Sequence, residues 1–177
     1  GEDLKMWKPE NYGKKFYGPS TLRTGVEKSR NLMTVRIAQN IGIKKIAKFA
    51  TDLNIYDNPE ELLSLSLGSS ETTLLKLTNA YCSFVNGGKL LTPKFIDRIQ
   101  DSEGNTIFNS EKRECDGCNQ ISYLSKSIPK IKNNFKQIMS KETAFQMTSI
   151  LEGTVKRGTA KGLNDLNLDL GGKTGTT

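Results

Sequence analysis

The chain has 177 residues, 35% apolar and 25% charged, the composition of one folded domain long enough to bury a core, which excludes intrinsic disorder. It contains no histidine, which excludes Ser-His-Asp and Cys-His catalysis, histidine zinc sites and histidine pH switching. The net charge of +7 arises from 20 lysines and 6 arginines, scattered in ones and twos, against 19 acidic residues; without a glycine-aromatic RNA-binding signature or zinc-finger spacing it reads as a solvated basic surface, not a nucleic-acid site.

In chain order, Trp7, Pro9, Tyr12, Gly13, Tyr17, Gly18 and Pro19 predict an irregular, aromatic-pinned segment over residues 1–19. It leads into a short helix, 21–28, with Ser20 as its expected cap. Ser29-Arg30-Asn31 then breaks the pattern. Leu32, Val35, Ile37 and Ala38 open a second helix ending at Gly42, and a third covers 43–53 with Ile46, Ala47, Phe49 and Ala50 as its buried face. Leu63-Ser64-Leu65-Ser66-Leu67 alternates with period two and predicts an extended segment. Residues 73–85 carry Leu74, Leu77, Ala80, Tyr81 and Phe84 at helical spacing and stop at Gly87-Gly88.

Residues 94–100 and 106–109 flank Asp101-Ser102-Glu103-Gly104-Asn105, a strand, turn and strand. Residues 111–139 are polar and read as a loop or insertion holding Cys115-Asp116-Gly117-Cys118. Three cysteines without histidine cannot close a zinc site, so no cofactor is expected and a local disulfide, structural and on the surface, is the better reading in an oxidising compartment. Ser140 caps a strong helix whose apolar side is Thr143, Ala144, Met147, Ile150, Leu151 and Val155, ending at Gly158. Residues 166–177 are apolar and glycine-rich. No run approaches the roughly 18 apolar residues of a membrane span. Gly1-Glu2-Asp3-Leu4 lacks the features of a signal peptide, which leaves open a targeting segment ahead of Gly1.

Gly171-Gly172-Lys173-Thr174-Gly175-Thr176-Thr177 admits three readings. A phosphate-binding loop needs glycine five residues before Gly172, where Asn167 stands, and a helix after it. A glycine-rich turn with an exposed lysine is the second. The third is the Lys-Thr-Gly motif that accompanies Ser-x-x-Lys and Ser-x-Asn in penicillin-recognising enzymes. Ser29-Arg30-Asn31 supplies a Ser-x-Asn upstream, and it also reads as a helix N-cap, a role compatible with a motif at a helix entrance.

Tyr17-Gly18-Pro19-Ser20-Thr21-Leu22-Arg23, then Ser29-Arg30-Asn31-Leu32 and Thr34-Val35-Arg36, resemble class A penicillin-binding proteins, especially the 1A type. Leu67-Gly68-Ser69-Ser70-Glu71, Asn86-Gly87-Gly88, Leu151-Glu152-Gly153, Arg157-Gly158-Thr159 and residues 172–177 continue the resemblance in family order, over nearly the whole chain and most weakly in 111–139. The resemblance implies an α+β fold, part of the penicillin-binding protein transpeptidase and serine beta-lactamase-like fold. In the family the nucleophile is the serine of a Ser-x-x-Lys that precedes Ser-x-Asn. No such motif lies ahead of Ser29, and Ser127-Ile128-Pro129-Lys130 follows it and is a chance match among 14 serines and 20 lysines. Residues 1–177 are therefore expected to be one partial transpeptidase domain, without its nucleophile and its last strands.

What the resemblance implies is acyl-serine chemistry without histidine, on the D-alanyl-D-alanine end of peptidoglycan stem peptides, with beta-lactams as inhibitors. By family position Ser29 relays a proton to the leaving amine and Asn31 holds the substrate amide. Lys173 supplies positive charge, Thr174 and Thr176 bind the substrate carboxylate, and Gly175 leaves room for it. The Thr176 backbone N–H is an expected oxyanion donor, and strand alternation sets Lys173 and Gly175 on one face and the threonines on the other. Also implied are a periplasmic site of action and a membrane anchor and glycosyltransferase domain upstream. The same motifs serve D-alanyl-D-alanine carboxypeptidases and beta-lactamases, which residues 17–36 disfavour. A non-catalytic wall-binding or assembly module is the alternative outside enzymology.

Overall fold

The computed structural model describes residues 7–116, 118, 130–132 and 135–175. Its framework is helical, and local chemistry sets each boundary. Helix α1, Leu22–Glu27, is capped by Thr21, whose hydroxyl accepts the Thr24 N–H at 3.2 Å. Ser20, the expected cap, lies one residue too early and points its hydroxyl back to the Gly18 carbonyl. Helices α2 (Asn31–Ile41) and α3 (Ile43–Asp52) meet at Gly42, whose φ of +95° only glycine adopts without strain. Thr73 caps α4 (Leu74–Val85) and Ser140 caps α5 (Lys141–Lys156), each accepting an N–H from three residues on. Such caps contribute about 1 kcal/mol each.

Two further sequence expectations about the framework need correction. Leu63–Leu67 is a 3-10 turn and not an extended segment. Five residues of alternation are too few to specify a strand when no partner lies alongside. Packing against α2 and α3 takes in Leu65 and leaves Leu67 exposed. The predicted buried faces of α3 and α4 are also narrower than expected. Ala47 and Ala80 are the buried contacts, while Phe49 and Leu74 are exposed, so small side chains let the helices approach and the long ones overhang.

The core runs along α5. Ala144, Ile150, Leu151, Thr154 and Val155 are buried there, and α1 and α4 pack on this helix; Val35 and Ala38 are buried on α2, which packs against Leu63–Leu67, α3 and α1. Among the described residues the strands form three antiparallel ribbons: β1 (Lys89–Leu90) with β6 (Lys136–Gln137), β2 (Arg98–Gln100) with β3 (Thr106–Asn109), and β4 (Cys115–Asp116) with β5 (Lys130–Ile131). The β2–β3 turn is built by Asp101. Its carboxylate accepts the Asn105 side-chain N–H at 3.0 Å and the Asn105 and Glu103 backbone N–H groups, which hold its pKa below the usual carboxylate range. Within 111–139 the described residues include β4, β5 and β6, and the Cys115–Cys118 disulfide lies at β4.

Gly88 couples α4 to the start of α5. Its N–H donates to the Ser83 carbonyl, and its own carbonyl accepts from Ile138 and Met139 at 2.8 and 3.3 Å. Its φ is +82°, and a β-carbon there would stand 2.2 Å from the Met139 carbonyl oxygen. Gly104 has a comparable φ of +85° with open space around it. Gly88→Ala is therefore expected to lower unfolding free energy in urea by about 2–4 kcal/mol, strain plus overpacking, against about 1 kcal/mol for Gly104→Ala. Equal losses at the two positions would show that the close approach at Gly88 does not matter.

Candidate active site

Three segments far apart in sequence converge because α5 carries one of them and receives the others. After α5 the chain turns at Gly158 and passes through a 3-10 turn, Lys161–Leu166. It then returns along α5, where the Gly172 N–H donates to the Leu151 carbonyl at 3.1 Å. A β-carbon on Gly171 would lie 3.1 Å from the Glu152 backbone nitrogen, so glycine permits this close course. The next residue, Lys173, extends its ammonium across to the turn between α1 and α2 and donates to Ser29 Oγ at 2.7 Å.

Ser29 is held in that turn with a φ of +51°, its N–H bonded to the Val26 carbonyl and the Arg30 N–H to the Gly25 carbonyl. The N-cap reading of Ser29 and Asn31 is not what the structure adopts. Arg30 is the residue at the cap position and makes no side-chain cap bond. The buried Asn11 caps the helix from a distance, its Oδ1 accepting the Leu32 N–H at 3.2 Å while its Nδ2 donates to the Lys15 carbonyl. Ser29 is thereby released from capping, and its hydroxyl remains for Lys173. The Arg30 guanidinium lies over the Tyr17 ring, 3.2 Å from the centroid. The ring's negative face thus serves a cation whose buried Nη1 has no hydrogen-bond acceptor among the described residues.

These residues line a cleft of about 1050 Å³. Lys28, Arg30 and Lys173 are its cations, and no acidic side chain is among its described lining residues. Tyr12, Tyr17, Tyr81, Phe84 and Met147 give it a partly apolar wall. Such a cleft suits an anionic ligand with an apolar portion. Protein around the Lys173 ammonium removes part of its hydration and lowers its pKa below the usual lysine value, although the residue as a whole stays exposed. A separate hollow of about 700 Å³ lies by Asp57 and Lys76, whose ammonium is already bound by both Asp57 oxygens.

Of the residues singled out from sequence, Ser29, Asn31, Lys173, Thr174 and Gly175 all line this cleft. Asn31 does so with its amide occupied, since Nδ2 donates to the Glu10 carbonyl at 3.0 Å. The Thr174 hydroxyl pairs with that of Thr159 at 2.7 Å, and the space around Gly175 is open. Thr176 and Ser127 lie outside the described residues. The expected strand through Lys173 and Gly175 is not formed among the described residues, because no partner strand lies beside it; the bonds of Gly172 and Thr174 hold the segment instead. Cys115 and Cys118 are not among the cleft-lining residues.

Sequence reasoning assigned no role to Glu27 and Arg157. Glu27 is 3% exposed, and Arg157 grips its carboxylate with Nε at 2.9 Å and Nη2 at 2.6 Å. Helix-breaking glycine inside α5 was the available signal. A β-carbon on Gly153 would stand 2.0 Å from Glu27 Oε1, so the helix leaves a notch for the carboxylate.

The family model described as "Penicillin binding protein transpeptidase domain" matches residues 1–177. Penicillin-binding protein 1A of Rickettsia bellii (strain RML369-C) is 44% identical over 100% of this chain and 23% of its own length. That of Pseudomonas aeruginosa is 28% identical over 98% of this chain and 25% of its own length. The chain thus spans about a quarter of the length of these relatives. Among solved structures, penicillin-binding protein 1A from Haemophilus influenzae superposes with a TM-score of 0.80 at 31% identity, covering 100% of this chain and 29% of that one. The D,D-transpeptidase domain of a peptidoglycan glycosyltransferase from Eggerthella lenta gives 0.66 at 19% identity over 94% of this chain and 44% of that one, a likeness of fold.

Partial burial of the Lys173 ammonium has a direct consequence. In a carbon and nitrogen NMR titration, with Lys173→Arg to assign the signal, Lys173 is expected to lose its proton at lower pH than the chain's solvated lysines. A midpoint at or above 10.5, the ordinary lysine value, would mean the ammonium is fully hydrated.

Proposed function

The chain belongs to the penicillin-binding protein transpeptidase family, and from that membership we propose that it forms part of the D,D-transpeptidase site of a class A enzyme that cross-links peptidoglycan by an acyl-serine mechanism. The observation that carries this reading is the 2.7 Å bond between Lys173 Nζ and Ser29 Oγ, which joins the second and third motifs across 144 residues.

In this reading the nucleophilic serine comes from a Ser-x-x-Lys segment ahead of residue 1, in a bifunctional glycosyltransferase/transpeptidase. It attacks the penultimate carbonyl of a D-alanyl-D-alanine stem peptide, and an amine from a second stem peptide resolves the acyl-enzyme. Ser29 passes a proton to the leaving amine. Its hydroxyl suits that task, since it accepts from Lys173 and keeps its own proton for donation. Lys173 holds positive charge beside the substrate carboxylate, and Thr174 and Thr176 bind that carboxylate. Thr174 exchanges its Thr159 partner for the ligand, and Asn31 exchanges the Glu10 carbonyl for the substrate amide. The Thr176 N–H serves as one oxyanion donor, and the nucleophile's own N–H as the other.

The enzyme acts on the periplasmic side of the cytoplasmic membrane, where its cationic cleft meets anionic stem peptides, and beta-lactams occupy the same cleft as inhibitors. No helix among the described residues is long and apolar enough to cross a membrane. The proposed anchor is upstream.

The full-length protein is expected to form a covalent adduct with a fluorescent penicillin, slowed about 100-fold or more by Lys173→Ala or Ser29→Ala. Because the lowered pKa removes the Lys173 charge at a lower pH than usual, labelling should fall on the alkaline side below the ordinary lysine range. Lys173→Arg, permanently charged, should move that fall upward. Undiminished labelling of Lys173→Ala would refute the reading. The 177-residue chain alone is expected to give no adduct by mass spectrometry, and an acyl group on Ser29 or Ser127 would place the nucleophile elsewhere than proposed.

A further inference from the structure

The bond between Ser29 and Lys173 joins two loops, and both loops are rooted at one place. Glu27 lies two residues before Ser29, at the end of α1, and Arg157 follows the end of α5. The Glu27 side chain is 4% exposed and is gripped bidentately by Arg157. Arg23 adds a longer contact at 3.5 Å and itself binds the carbonyl and hydroxyl of Ser149 on α5. The backbones are joined at the same point. The Thr159 N–H donates to the Glu27 carbonyl at 3.1 Å, and Lys28 Nζ donates to the Arg157 carbonyl.

Each arm leaves this junction over a short path. From Glu27 the chain passes through Lys28 directly to Ser29 and its left-handed turn. From Arg157 it reaches Thr159, whose hydroxyl meets Thr174, the neighbour of Lys173. Two glycines make the junction possible. A β-carbon on Gly153 would overlap the Glu27 carboxylate, and one on Gly158 would stand 2.4 Å from the Glu27 carbonyl oxygen. An exposed ion pair is worth little, but a carboxylate sealed against a helix with a forked partner admits few alternative arrangements.

We propose that Glu27 and Arg157 are positioning residues for the transpeptidase cleft, a buried carboxylate held by a half-exposed guanidinium that together set Ser29 against Lys173 without touching the substrate. The inference rests on the proposed function, since that reading gives the Ser29–Lys173 distance its meaning. A shift of about 1 Å in reacting groups can cost on the order of 100-fold in rate. The pair therefore acts on the rate of acylation and not on the noncovalent affinity for the ligand.

The test uses the full-length protein with a fluorescent penicillin at varied concentration and pH. It separates the noncovalent dissociation constant, the acylation rate constant and the final labelled fraction. Glu27→Gln keeps the side-chain shape and removes its charge. Arg157→Lys keeps charge and loses the fork, and it carries the test should Glu27→Gln not fold. Gly153→Ala displaces the carboxylate without altering either partner, and Lys48→Ala breaks an exposed pair as a control.

The acylation rate constant is expected to fall about 10- to 100-fold in the first three variants, with the dissociation constant within about threefold and Lys48→Ala unchanged. The alkaline limb should also move toward the ordinary lysine range, as a loosened cleft lets water reach Lys173. A merely structural pair would lower the labelled fraction or the melting temperature and leave the rate constant per labelled molecule and the alkaline limb in place, which would overturn the proposal. Failure of the functional reading looks different: wild-type protein would not label, or Lys173→Ala would label normally. In that event the NMR titration of Lys173 in the same variants still decides whether the pair sets the Ser29–Lys173 geometry. An unmoved midpoint would overturn the proposal.

Discussion

A carboxylate buried between two helices is the constraint around which this structure is arranged. Charge is costly to take out of water, and Glu27 is tolerated because a guanidinium fork meets both of its oxygens and α5 lacks side chains where the carboxylate lies. That requirement fixes α1 against the end of α5 to within the tolerance of two hydrogen bonds. The turn that follows α1 and the loop that follows α5 inherit the same precision. A purely apolar contact there would hold the helices together with less control over their rotation, because dispersion and burial are not directional.

In the proposed function, the cleft would carry out proton transfer without histidine. Lys173 is a titratable cation of the cleft, and partial removal of water brings its pKa down from the ordinary lysine value. The serine hydroxyl beside it is available only because Asn11 caps α2 from the segment that precedes α1. The Tyr17–Arg30 stack and the Asn31–Glu10 bond hold that segment over the same helix entrance. Residues 10–17 are therefore part of the cleft's construction, although none of them was assigned a role from the sequence.

Much of this was legible in the sequence, for reasons that differ by level. The helices were visible because their caps and glycine stops are local: Ser140 and Gly42 act within a few residues of their own positions. Convergence of Ser29 and Lys173 came from the order of motifs and not from any physical pattern, and nothing local predicts a contact over 144 residues. What was not legible depended on the partner. Leu63–Leu67 alternates as a strand does, yet meets helices and folds as a 3-10 turn. Glu27, between Val26 and Lys28, looks like any solvated charge, and only Gly153 inside α5 hints that something lies against that helix.

The pairing of β1 with β6 has a different kind of consequence. Lys89 stands opposite Gln137 and Leu90 opposite Lys136, so the intervening chain departs and returns at a single point beside Gly88. The entropy of closing such a loop grows only with the logarithm of its length, roughly 0.6 kcal/mol for each doubling. With its ends clamped and its described strands pairing with one another, this excursion can lengthen or shorten with little effect on the helices that carry the cleft. It is the part of the molecule in which a lineage can try new sequence, including a disulfide, while the chemistry beside α5 stays as it is.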